Sequence, residues 1–103
     1  MRSRVIRFPL RAALLAGLLW LAACQTAPVQ EMSDARQAIS VAREAGAAEH
    51  AADDLKAAIE FLESAEQNLN ARDYESARRD AEQAKSRALD ALHRTESATE
   101  TQP

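Results

Sequence analysis

Alanine recurs at alternating intervals of four and three in Ala77, Ala81, Ala84, Ala88 and Ala91. Only an α-helix puts such a series on one face. The same rhythm runs upstream, where Leu55, Leu62 and Leu69 interleave with Ala51, Ala58 and Ala65, and earlier in Ala35, Ala38, Ala42 and Ala45, with Ile39 and Val41 beside them. Between residues 33 and 95 there is no proline and a single glycine, Gly46. Alanine seams let helix axes approach toward the close end of the usual 8–10 Å packing range. The chain is therefore expected to be all-α, a small antiparallel three-helix bundle with alanine-rich, coiled-coil-like packing.

Punctuation places the helices at about 33–45, 48–70 and 74–95. Ser33 or Asp34 suits an N-cap, Gly46 a C-terminal left-handed position, and Asp73 the N-cap of the last helix. Asn70-Ala71-Arg72-Asp73 reads as a tight reversal, which makes the second and third helices antiparallel. Residues 24–32, with Pro28 and no periodicity, read as a tether, and residues 96–103 as a disordered tail.

Ahead of the helices lies a different kind of segment. Arg2, Arg4, Arg7 and Arg11 form a basic leader, residues 12–23 an apolar run, and Leu21-Ala22-Ala23 a small-residue approach to Cys24, the one cysteine of the chain. A spanning helix needs about 20 apolar residues, so the run has signal-peptide length instead. The pattern resembles the lipobox of bacterial lipoproteins. That resemblance implies acylation of the Cys24 thiol, cleavage before it with loss of residues 1–23, and acylation of the new amino group. A plain secretory signal would leave an unpaired thiol in an oxidising compartment, and an uncleaved anchor would need the apolar run to continue past Cys24. Two or three acyl chains give stable attachment. Gln25 follows the cysteine, where inner-membrane retention in enteric-type bacteria typically uses Asp, so the expected location is the periplasmic face of the outer membrane.

Loss of the leader changes the charge. All sixteen acidic residues follow Cys24, whereas four of the thirteen basic ones precede it, which leaves the mature chain at −7 against −3 for the precursor. Nucleic-acid binding rests on basic contacts to phosphate and is not expected; nor is a polybasic grip on anionic lipid. Acidic residues dominate 49–69, with Glu49, Asp53, Asp54, Glu60, Glu63 and Glu66 against Lys56. The last helix carries Arg78, Arg79, Lys85, Arg87 and Arg94. The two helices are thus electrostatically matched, and Glu75 with Arg79 and Asp90 with Arg94 have favourable intrahelical spacing.

Large apolar side chains after Cys24 are few, and a domain of this size is marginal on its own. Phe61 and Leu89 fall beside the seams rather than on them, so each is expected to point partly outward. The bundle is therefore expected to self-associate or to pack against an envelope protein.

Asp73-Tyr74-Glu75-Ser76-Ala77 is similar to the second helix of tetratricopeptide-like hairpins, with Tyr74 closing on the end of the preceding helix, but one hairpin is too few for such an array. The wider pattern is the lipobox, an Ala-rich first helix, Gly46-Ala47-Ala48, Leu55-x-x-Ala58-x-x-x-Leu62-x-x-Ala65, and Asp73-Tyr74-x-x-Ala77 followed by alanines to Ala91. It resembles the DUF4398 family of small envelope lipoproteins. The resemblance implies a periplasmic helical domain and supplies no catalytic residue; a peptidoglycan-binding OmpA-like module, fused to the domain in some members, is absent here.

The inventory of reactive groups is thin. No Gly-rich phosphate loop and no serine–histidine pairing in motif context occurs, so no catalytic residue, cofactor or metal is expected. His50 precedes Asp53 and Asp54 by three and four residues and could share a helical face with them, but this falls short of a closed metal site. His93 near Asp90 is a weaker case still. The expected role is a structural or adaptor module of the envelope, with binding of a small ligand, metal or cell-wall fragment as the alternative. The C-terminal residues Thr101-Gln102-Pro103 lack the lysine through which an abundant helical lipoprotein is cross-linked to peptidoglycan, so no covalent wall link is expected.

Overall fold

A computed structural model of the chain describes residues 26–101. Among the described residues there are four helices: α1 (Val29–Ala45), the single turn α2 (Ala47–His50), α3 (Ala52–Asn70) and α4 (Tyr74–Glu100). No strand occurs among the described residues. The all-α bundle expected from periodicity is the fold observed.

The path runs up, down and up. Asp80 of α4 meets Ser64 and Asn68 of α3, while Arg94, farther along α4, meets Asp54 nearer the start of α3. α3 and α4 are therefore antiparallel. Glu31 near the start of α1 pairs with Arg78 near the start of α4, and Gly46 at the end of α1 lies beside Thr95. α1 and α4 are therefore parallel. The 27-residue α4 spans about 40 Å and packs against both other long helices, which touch each other far less.

The seam of α4 is the axis of the core. Ala77, Ala81, Ala84, Ala88 and Ala91 are all completely buried. One cluster joins Ala38, Ile39, Ala42, Ala47, Ala51, Leu55, Ala58, Ala88 and Ala91, with Ile59, Leu62 and Leu92 half-buried around it. A second, at the other end, joins Met32, Ala65 and Ala81 with Leu69. Leu89 is exposed and Phe61 half-buried, in keeping with their places beside the seams. Ala45, in phase by count, is exposed, because α1 ends there and Gly46 turns the chain away.

Three boundaries differ from the local reading. α1 begins at Val29, with Pro28 as its N-cap residue, so Ser33 and Asp34 lie inside the helix and residues 29–32 are not tether. Burial of Met32 against Ala65 and Ala81 holds this extra turn, and Asp34 accepts a hydrogen bond from Gln30 Nε2 at 2.9 Å. The expected second helix is interrupted at Ala51 (φ −149°, ψ 49°). The chain must reverse there, and α2 and Ala51 do so while keeping Ala47 and Ala51 buried. Finally α4 continues to Glu100, through most of the expected tail. Thr95 extends the four–three seam one step past Ala91, is buried, and donates its hydroxyl to the Ala91 carbonyl at 2.7 Å.

Both expected turn residues act as read. Gly46 adopts φ 103°, and its N–H meets the carbonyls of Ala42 and Arg43. Asp73 caps α4 by accepting from the Ser76 N–H at 3.2 Å. Between α3 and α4 the Asp73 N–H bonds the Asn68 carbonyl and the Arg72 N–H the Leu69 carbonyl. This is the paired closure of a Schellman motif, whose left-handed position, usually glycine, is held here by Arg72 at φ 61°.

Candidate functional site

Cys24 and the Leu21-Ala22-Ala23 approach to it lie outside the described residues. The chain that follows them is fixed from its first described residue. The Thr26 carbonyl accepts from Arg78 Nη2 at 3.1 Å, and the same guanidinium pairs through Nε with Glu31 at 3.5 Å. Pro28 is fully buried, and the Val29 N–H closes on the Ala27 carbonyl at 2.8 Å. Arg78 thus staples the entering segment to the start of α4, a role that sequence spacing did not reveal because the partners are 52 residues apart.

At the opposite end, His50, Asp53 and Asp54 border one depression but are not placed to share a metal. Asp54 is buried and faces α4, where Arg94 Nη1 approaches Oδ2 at 3.1 Å and Arg87 Nη1 approaches Oδ1 at 3.7 Å. Two arginines seven residues apart on one helical face clamp one carboxylate, so Asp54 is committed to holding α3 on α4. Asp53 is exposed. Among the described residues no three His, Cys, Asp or Glu side chains are placed to hold a metal. His93 Nδ1 lies 3.9 Å from Glu96, not against Asp90.

The charge matching of α3 and α4 is therefore realised at a few defined points. Asp80 Oδ2 receives the Ser64 hydroxyl at 2.6 Å and Asn68 Nδ2 at 2.8 Å. This cluster was missed in the sequence, where Ser64 and Asn68 share a face by their spacing of four but carry no charge. Arg36 adds a bridge to Glu66 from α1 to α3 at 3.2 Å. Neither expected intrahelical pair closes among the described residues: Arg79 donates to Ser76 Oγ, and Arg94 reaches Asp54 instead of Asp90.

A family model described as "Domain of unknown function (DUF4398)" matches residues 30–102. The chain belongs to the DUF4398 family. No curated protein and no solved structure matches it. The DUF4398 match takes in α1 from its second residue through the whole of α4 and does not reach Cys24.

The surface of this DUF4398 bundle carries small depressions, three of which are described by their linings. One of about 240 Å³ is lined by Asp34, Gln37, Ala38 and Lys85. A second, of about 210 Å³, lies among Glu49, His50, Asp53, Asp54 and Arg94. A third, of about 230 Å³, is lined by Ala57, Glu60, Phe61, Ser64 and Asp80. Each is smaller than the roughly 300–1,000 Å³ of ordinary ligand pockets, and Phe61 in the third is the one large apolar side chain among these linings. Exposed features also include the acidic side chains of α3, among them Asp53, Glu60, Glu63 and Glu66, and the isolated apolar residues Val29, Val41 and Leu89.

Proposed function

We propose that this DUF4398 protein is a lipoprotein acylated on Cys24, held on the periplasmic face of the outer membrane, and that it acts as a structural or adaptor module of the envelope through protein–protein contacts. The observation that carries this reading is the order of the leader: four arginines, an apolar run of signal-peptide length, and Leu21-Ala22-Ala23 before the chain's one cysteine. Gln25 in place of Asp supports release from the inner membrane. The adaptor role is supported by the acidic exposed side of α3 and by a core made mostly of alanine, which leaves the bundle to gain stability from association. It is non-catalytic in this reading.

Small-ligand binding is less well supported, since the three depressions are small and ordinary ligand pockets are larger. The proposal is tested with Cys24→Ser. Uncleaved, unacylated precursor is expected, and normal processing with membrane fractionation would overturn the lipoprotein reading. Photo-crosslinking probes at Asp53, Glu60 and Glu63 in the native envelope then test the adaptor role. Capture of one discrete envelope protein is expected, and absence of any protein crosslink would count against it.

A further inference from the structure

We infer that the bundle is seated on the headgroup layer of the leaflet that holds its anchor, with the start of α1 and the α3–α4 turn against the lipid, rather than hanging from a leash. The inference rests on acylation of Cys24. A nine-residue tether, the length expected from sequence, could reach about 30 Å and would let the domain range freely. The structure shortens it to almost nothing. Thr26 is already bonded through its carbonyl to Arg78, and Pro28 is fully buried.

Only two residue steps separate Cys24 from Thr26, or at most about 7 Å. The polar layer on each side of a bilayer is about 5–8 Å thick, as the difference between its total and hydrocarbon thickness implies. The available chain is therefore used up in crossing the headgroups. Thr26 emerges at the membrane surface, and the bundle end follows at once.

What that end presents is consistent with a wet, polar boundary. Val29 is 67% exposed, an apolar side chain one turn before the buried Met32. Arg72 and Arg79 are exposed beside Asp73 and Glu75, so cations and anions balance. The acyl anchor and the short connection hold the seat, and added salt is not expected to release it. Because α1 and α4 both start at this end, they lead away from the bilayer, and the Asp54–Arg87–Arg94 clamp sits on the distal half.

The test uses the full acylated protein, with its mass verified, in vesicles of phosphatidylethanolamine and phosphatidylglycerol. Nitroxides are placed singly by Asn70→Cys, Ser86→Cys and Ser97→Cys, all at exposed positions, and relaxation by a nickel chelate carried on a lipid headgroup is read. Enhancement several-fold greater at position 70 than at 97, with 86 between them, is expected. Inserting a flexible Gly-Ser linker of about 20 residues, whose mean span is about 25 Å, between Gln25 and Thr26 is expected to bring position 70 down to the level of 97. Equal, low enhancement at all three sites would overturn the seating in favour of a leash, and equal, high enhancement in favour of a bundle lying flat. No response to the linker would overturn the short-tether reasoning. An unacylated Cys24 in the mass measurement would remove the lipoprotein reading and this inference with it.

Discussion

Two residues of the bundle sit in the left-handed region, Gly46 at φ 103° and Arg72 at φ 61°, and they respond to substitution in opposite directions. A side chain in that region costs about 1–2 kcal/mol, whereas glycine gives up roughly 0.5–1 kcal/mol more conformational freedom on folding. Arg72→Gly removes the first and incurs the second. The Arg72 side chain is exposed and no ion pair holds it among the described residues, so its loss costs nothing further. The net is a gain of about 0.5–1 kcal/mol, or about 2–8 °C in Tm for a domain of this size. Gly46→Ala reverses the sign. An added Cβ would meet only His50 Cδ2 at 3.7 Å and Thr95 Cγ2 at 4.0 Å, ordinary contacts, so the loss is purely backbone and about 1 kcal/mol. The turns lie at opposite ends of the bundle and should act additively, which leaves the double variant near the parent. Thermal melts of the leaderless chain, followed by far-UV circular dichroism, read all three. A lower Tm for Arg72→Gly would refute the strain assigned to that turn.

Other perturbations probe the seam, the cap and the clamp. Ala84 is completely buried on the α4 seam, and Ala84→Leu is expected to cost about 1–3 kcal/mol by overpacking; an unchanged melt would refute close packing there. Asp73 has its pKa lowered below 3.8 by the Ser76 side chain first and the Ser76 backbone N–H second, so the stability it confers is present above the ordinary carboxylate range and fades as pH falls through its folded value. The Tm gap between the parent and Asp73→Asn should therefore narrow on acidification below that range, and a gap independent of pH would contradict the assignment. Asp54→Ala frees Arg87 and Arg94 into water, where both are already half exposed or more. A loss of about 1 kcal/mol is expected, with the difference from the parent shrinking in about 1 M salt; equal loss at low and high salt would argue that Asp54 acts by packing alone.

Sequence by itself determined the helical class, the alanine seams and the two turns, because each is written in spacings of three, four or seven residues or in one residue's backbone preference. Ala77 through Ala91, Gly46 and Asp73 all do locally what their neighbours require. Tertiary structure alone decided where α1 begins, where the chain breaks at Ala51, where α4 ends and what the charges do. Met32 draws α1 back to Val29 because Ala65 and Ala81 offer it a buried place, and Thr95 carries α4 onward because its hydroxyl is satisfied within the helix at Ala91. Asp54 chooses Arg94 over the solvent, and Arg78 takes the Thr26 carbonyl, 52 residues away in sequence. These choices depend on burial and on partners that only the folded chain brings together.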